Sequence, residues 1–231
     1  MSELTPIPDG PWLNVGSGPA EAAGWTHMDG SWQAKLAGYR WLSPIGRAIL
    51  KKEIGHWPAG VKYRDIRRGL GYGPHSVAVV YSSHMLEHLH RSDALSFLHD
   101  VNRSLLPGGV LRIVVPDLAS IVGWYQAHRN ESPVGRQGSS SDLLMDLLLL
   151  RPRDSSNGHG PAAWIRRAIT LHEHKWMYDA EGLRALFEEA GFRNAQPRGF
   201  LESAIPSARL AAVESADRVC DGAGVCVEAR T

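Results

Sequence analysis

At 231 residues, with 25 lysines and arginines against 24 aspartates and glutamates, the chain can bury one substantial core and carries no global field toward nucleic acid or an anionic membrane. Its longest apolar stretch, Leu143–Leu150, is broken by Asp146 and falls far below the ~20 residues needed to cross a bilayer. The proline-punctuated start, Met1–Gly10, lacks the basic and apolar regions of a secretory signal, and Cys220 and Cys226 read as reduced thiols, so a cytoplasmic protein is expected.

In chain order, the first strong element is Pro11–Val15, a short apolar strand running into Gly16-Ser17-Gly18-Pro19. Glycine there permits positive φ and close approach of a ligand to the backbone, although an ordinary turn has the same composition. A second short strand, Gly24–Asp29, ends in a carboxylate. Such a residue either caps the following helix or accepts the hydroxyls of a ribose, and its spacing from the glycine turn favours the ribose. A helical region is predicted over Trp32–Ile54, and a third strand over Val61–Ile66 with Asp65 near its end.

Val77–Asp117 is the most legible stretch. The strand Val77–Ser83 carries branched side chains on both faces, as a strand covered by two helix layers requires, and turns polar at Ser82 and Ser83. Next come Ser82-Ser83-His84-Met85-Leu86-Glu87-His88 and a helix over Arg91–Leu106, with Leu95, Leu98, Val101 and Leu105 on one face. Pro107-Gly108-Gly109 stops that helix, and Val110–Val115 forms the next strand, completing a βαβ unit.

Beyond Asp117 the pattern loosens: residues 118–170 read as an insertion with a short apolar helix near Leu143–Leu150, long for a connector and placed to enclose substrate. A helix follows from Asp179, with Leu183, Leu186 and Phe187 inward, ended by Gly191. Arg193–Phe200 and Val225–Ala229 are the last strand candidates.

Taken together, Leu13-Asn14-Val15-Gly16-Ser17-Gly18, Asp29, Asp65, Tyr81–Leu89, Leu106-Pro107-Gly108-Gly109 and Glu189-Ala190-Gly191-Phe192 resemble the class I S-adenosylmethionine-dependent methyltransferases. Likeness is nearest to a bacterial subgroup with Ser-Ser-His-x-Leu-Glu-His after the fourth strand and Glu-His-Lys-Trp-Met-Tyr, here Glu173–Tyr178, before the late helix. The resemblance implies an α/β, Rossmann-like, doubly wound seven-stranded sheet, mostly parallel with the last strand antiparallel, in one domain over 1–231. It implies S-adenosylmethionine as cofactor, with Gly16, Ser17 and Gly18 near its methionine part and Asp29 on its ribose hydroxyls. Asp65 and the adjacent Ile66 would meet the adenine, and Ser82, Ser83 and His84 the sulfonium and substrate side. Asn14 stands where the family usually has an acidic residue, and Pro19-Ala20 where a third glycine is usual.

A sulfonium methyl is already activated, so the protein has to align the acceptor and, for a hydroxyl, take its proton. Histidine titrates near neutrality, which makes His84 the first and His174 the second candidate base. The expected acceptor is a small molecule, a sugar or natural-product hydroxyl, with no nucleic acid and no membrane partner. His172, Trp124, Trp176 and Tyr178 are candidates to hold it, aromatic rings being suited to stacking and equally to core packing. No paired carboxylates plus asparagine of the Mg²⁺-binding kind are visible, so metal independence is expected. Two alternatives stay open: a methyltransferase-like fold that binds without turnover, and a zinc peptidase, because His84-Met85-Leu86-Glu87-His88 matches His-x-x-Glu-His. The peptidase motif belongs within one helix, whereas here it straddles a strand end and a helix start.

Overall fold

A computed structural model of the protein describes residues 6–37, 57–58, 60–130, 139–149 and 173–231. Seven strands form one sheet: β1 (Trp12–Val15), β2 (Thr26–Asp29), β3 (Lys62–Tyr63), β4 (Val77–Ser83), β5 (Leu105–Pro116), β6 (Gln196–Pro197) and β7 (Gly224–Arg230), in the order β3-β2-β1-β4-β5-β7-β6. Pairings from β3 through β5 are parallel, and β7, last in sequence, runs antiparallel between β5 and β6, so the expected doubly wound sheet is present.

Helices on its two sides are α1 (Trp32–Ala37), α2 (Arg91–Ser104), α3 (Leu118–His128), α4 (Ser140–Leu147), α5 (Ala180–Glu189) and α6 (Ser207–Leu210). Every residue of β1 and β4 is buried, which is why neither strand shows an apolar–polar alternation in sequence. The period-2 rule sorts their side chains instead. Leu13, Val15 and Val80 join Phe97, Leu98 and Val101 of α2 and Leu183 and Phe187 of α5 on one face. On the other, Trp12, Val79 and Tyr81 join Trp25, Ile205 and Leu210.

Arg112 of β5 shares the second face with Val110 and Val114 and has no solvent exposure. Its guanidinium donates to both Glu214 oxygens (2.7 and 2.8 Å), to Glu228 Oε2 (3.3 Å) and to the carbonyls of Glu202 and Gly199 (both 2.9 Å). Glu228 also accepts from Ser203 Oγ and from the Ala204 amide. This network ties β5, β7 and the connection after β6 into one unit, with each charge met by hydrogen bonds.

Several boundaries differ from the sequence reading. Leu105 already pairs with Val77 while Val110 pairs with Val79, so Leu106-Pro107-Gly108-Gly109 bulges within β5 and does not form a separate turn before it. Strand β3 is short because the Asp65 side chain accepts the Arg67 amide and starts a 3-10 turn, Ile66–Arg68. The candidate at Arg193–Phe200 shrinks to two residues because Pro197 has no N–H to pair and the chain turns at Gly199, whose carbonyl accepts from the Glu202 amide. Within 118–170, α3 is capped by Asp117, a helix the sequence reading did not assign. Helix α4 begins at a Ser139–Asp142 capping box, and Ser140 Oγ donates to the His128 carbonyl at the end of α3. The remaining parts of the Trp32–Ile54 helix and of the insertion lie outside the described residues. Among the described residues, no helix is long and apolar enough to cross a membrane, and both cysteines are free.

Replacing Arg112 by Met leaves two buried glutamates without their cation. Thermal melts should show a loss of about 3–5 kcal/mol, on the order of 10 °C, and Arg112→Met/Glu214→Leu should recover part of it. A melting point within 2 °C of wild type for Arg112→Met would show that the network carries no net stability.

Candidate active site

In the parallel part of the sheet, β1, β2 and β4 end on the same edge, so Gly16, Asp29 and His84 meet there. Gly16 (φ 69°) and Gly18 (φ 57°) turn the chain after β1, and a Cβ on Gly16 would overlap the Met85 side chain. Strand β2 braces this turn. The Met28 carbonyl accepts from the amides of Gly16 (2.8 Å) and Ser17 (3.1 Å), and the buried Asp29 carboxylate accepts from the amides of Gly18 and Ser31, each at 2.8 Å.

Two cavities open on either side of Gly16. One, of about 190 Å³, is lined by Asp29, Asp65, Ile66, His84, His88 and Lys175 among others. The other, of about 220 Å³, is lined by Asn14, Ser17, Tyr81, Ser83, Ser215 and Arg218 among others. Asp65 sits at the rim of the first, held by a bidentate pair with Arg67 (2.9 and 2.9 Å), whose hydrogen bonds keep its carboxyl below the usual carboxylate range. Asn14 Nδ2 lies 3.2 Å from His27 Nδ1, so its amide also fastens β1 to β2. Ser82 is fully buried, with no partner for its hydroxyl among the described residues.

His84 follows β4 in a left-handed conformation (φ 52°) that is strained for a side chain of its size, a feature that concentrates at functional positions. Its Nε2 lies 3.2 Å from the Arg218 carbonyl; an oxygen there can only accept, so the proton is on Nε2 and the lone pair on Nδ1. Burial pulls its imidazole below the ordinary value, the Arg218 carbonyl partly opposing. Nδ1 is 3.7 Å from Glu87 Oε1.

Glu87, on the 3-10 turn Leu86–His88, has 1% exposure, and neither of its carboxylate oxygens has a hydrogen-bond partner among the described residues. Burial pushes its carboxyl up to about 8. Its backbone carbonyl accepts from the amides of Lys175 (2.8 Å) and Trp176 (3.2 Å), which brings the late segment onto the β4 end. His88 and His174 also face Glu87 Oε1, each through Nε2 at 4.0 Å. Burial first, then the nearby His88, lowers the His174 imidazole to about 4.

The structure therefore places Gly16, Asp29, Asp65, Ile66 and His84 around one cavity and Asn14, Ser17 and Ser83 around its neighbour, with Gly18 braced between strands. His174 is buried beside Glu87 and is outside the lining of both cavities. Tyr178 is a core residue at 3% exposure, its hydroxyl pushed up to about 12 by burial. Trp124 stacks on His128 on α3, and Trp176 is 47% exposed next to cavity-lining Lys175. His172 lies outside the described residues. Sequence reasoning gave no role to Lys175, inside the Glu173–Tyr178 motif, or to Arg67, two residues beyond Asp65, and missed Arg218, which comes from a distant segment. It read Glu87 only as part of the His84–His88 motif, though its apolar neighbours Leu86 and Leu89 signal burial.

A methyltransferase-domain family profile matches residues 8–196. No curated protein matches the sequence. Among solved structures, a possible histamine N-methyltransferase from Thermotoga maritima aligns at 13% identity over 97% of this chain and 83% of its own, with a TM-score of 0.46. An S-adenosylmethionine-dependent methyltransferase from Mesorhizobium loti aligns at 19% identity over 99% of this chain and 94% of its own, TM-score 0.44. Another, from Archaeoglobus fulgidus, aligns at 13% identity over 96% and 86%, TM-score 0.45. At such similarity these structures carry no inference about the acceptor.

The chain belongs to the methyltransferase-domain family, as a class I enzyme whose cofactor is S-adenosylmethionine. Its residues fit that group: a buried carboxylate at the β2 end suits vicinal hydroxyls, and a Cβ on Gly18 would meet nothing within 4 Å, leaving open space above the turn.

Calorimetric titration with S-adenosylmethionine should find binding weakened about 10- to 100-fold by Asp29→Ala, the range of a charged hydrogen bond. Ser96→Ala, which loses only an exposed hydroxyl bonded to the Ser92 carbonyl on α2, should bind within threefold of wild type. Gly16→Ala should weaken binding at least tenfold. Equal affinity in all three variants would place the cofactor elsewhere.

Proposed function

We propose that the protein transfers the methyl group of S-adenosylmethionine to a hydroxyl of a small-molecule acceptor, of the sugar or natural-product kind, with His84 as the base. The supporting observation is His84 itself: an imidazole at the β4 end, lining the cleft, held below its ordinary pKa by burial, with its Nε2–H on a backbone carbonyl and its Nδ1 3.7 Å from Glu87 Oε1.

When bound, S-adenosylmethionine supplies a methyl already activated on a sulfonium. Asn14, Gly16, Ser17, Gly18, Asp29, Asp65, Ile66, Ser82 and Ser83 are the residues proposed to hold it, Asp29 on the ribose and Asp65 at the adenine end. His84 Nδ1 takes the hydroxyl proton as the acceptor oxygen becomes nucleophilic, and the Arg218 carbonyl steadies the imidazolium through Nε2–H. Alignment contributes ~7–11 kcal/mol of the barrier and the base about 10²–10⁴-fold in rate. Exposed Trp176 is suited to stack on a ring of the acceptor. The segment 118–170 is proposed to enclose it. Support comes from the end of α4, where the Leu149 carbonyl accepts from the His174 amide at 3.3 Å, beside Glu87. We further read the protein as cytoplasmic and acting without a nucleic-acid partner. The helical His-x-x-Glu-His geometry of the peptidase alternative is not formed, since His84–His88 spans a strand end and a single 3-10 turn.

An acceptor panel of sugars, phenols and amines, followed by S-adenosylhomocysteine release, tests this reading. Hydroxyl acceptors should turn over, and His84→Ala should lower kcat by about 10²–10⁴-fold with cofactor affinity within a few-fold of wild type. Turnover confined to amines, or an unchanged kcat in His84→Ala, would overturn it.

A further inference from the structure

We infer that Glu87, His88 and His174 form a binding site for one divalent transition-metal ion against the wall of the cofactor cleft. One donor atom from each residue lies within 4.8 Å of the other two. Donors sharing a tetrahedral ion at about 2.0–2.2 Å lie roughly 3.4 Å apart, so closure needs side-chain shifts of about an ångström.

The carboxylate is the strongest pointer. Glu87 is buried at 1% exposure with neither oxygen hydrogen-bonded among the described residues, and a buried carboxyl group in a folded protein is ordinarily hydrogen-bonded, ion-paired or coordinating a metal. Among the described residues no lysine or arginine pairs with it within 4.0 Å; it faces imidazole nitrogens, His84 Nδ1 at 3.7 Å and His88 Nε2 and His174 Nε2 each at 4.0 Å from Oε1.

The His88 tautomer suits coordination. Its Nδ1 lies 3.1 Å from the Glu173 carbonyl, which can only accept, so Nδ1 carries the proton, and Nε2 faces Glu87 Oε1 at 4.0 Å. Ligating histidines are oriented in this way by an acceptor on their other nitrogen. His174, 7% exposed, meets the His88 ring edge-on at 5.0 Å between centroids. The backbone holds the set together from two distant segments, through the Lys175 and Trp176 amides on the Glu87 carbonyl.

Two imidazoles and one carboxylate select a borderline transition ion such as Zn²⁺, Fe²⁺ or Co²⁺ over Mg²⁺, and leave coordination positions open. Such a site runs against the sequence-based expectation of metal independence, which rested on the lack of a carboxylate-rich Mg²⁺ site and set aside zinc at His84–His88. His88 lines the cleft, as does His84, whose Nδ1 is 3.7 Å from Glu87 Oε1. An ion there would take the acceptor oxygen at an open position. The hydroxyl proton passes to His84 Nδ1, and the oxygen bonds the methyl carbon as its bond to sulfur breaks, leaving neutral S-adenosylhomocysteine. That role rests on the proposed O-methyl transfer; the binding site does not.

The test is titration of chelator-stripped full-length protein with Co²⁺, followed by visible absorption, and with Zn²⁺ by calorimetry. The expected result is one equivalent bound at micromolar or tighter Kd, with affinity lowered at least tenfold in the near-isosteric Glu87→Gln and in His174→Ala, both checked by circular dichroism for folding. Less than a third of an equivalent in folded wild type, or wild-type affinity in Glu87→Gln, overturns the site. If the ion binds but stripped and loaded protein methylate at equal rates, the acceptor role falls and the O-methyl reading stands. One equivalent bound with no turnover of any hydroxyl acceptor supports the site and counts against the function.

Discussion

The Asp29 carboxylate is the constraint around which the cleft is built. A buried anion at a strand end has to be met by donors, and the two it finds are the amides of Gly18 and Ser31, one on each side of the opening. The first fixes the path of the glycine turn after β1, and the second fixes the entry to α1. With Met28 receiving the Gly16 and Ser17 amides, the turn is bound to β2 at three successive residues. Its position then determines what lies beneath it: Met85 fills the space against Gly16, and the β4 end cannot approach further.

The other face of the sheet answers a different demand. Among the described residues Arg112 is the largest fully buried side chain, and its carboxylate partners come from positions more than a hundred residues later. The segment that carries Glu214 continues into Ser215 and Arg218, which line the second cavity, so the anchored connection after β6 also shapes the site. The Arg218 carbonyl then sets the tautomer of His84. A core ion network and the proton chemistry proposed for the cleft are thus linked by one short stretch of chain.

Local rules made much of this visible in the sequence. Buried β4, the amphipathic faces of α2 and α5, the glycine turn and Asp29 all follow from short-range pattern, because their neighbours in space are their neighbours in the chain or repeat at strand and helix spacing. The bulge at Leu106–Gly109 did not show itself, since proline and glycine signal a break without saying whether a strand continues past it. Short β6 was overestimated because Pro197 permits only an edge pairing. Arg112, Arg218 and Lys175 were illegible for a plainer reason: their partners lie far along the chain, and a charged residue inside a strand reads as exposed until its counter-charges are located. Glu87 and His174 were each visible in a short motif, His174 as a candidate base, but their proximity was not. The residues around each carry weak signals, and only their convergence after folding gives them chemical meaning.

That convergence gives the cleft two chemically distinct sides, a carboxylate and glycine side formed by β1 and β2 and a histidine side formed by the β4 end and the late segment. In the proposed complex the cofactor lies across both. A crystal structure with S-adenosylhomocysteine tests it most directly: the ribose hydroxyls should rest on Asp29 and the sulfur should point toward His84. Density with the ribose away from Asp29, or with the sulfur directed away from the histidine side, would contradict it.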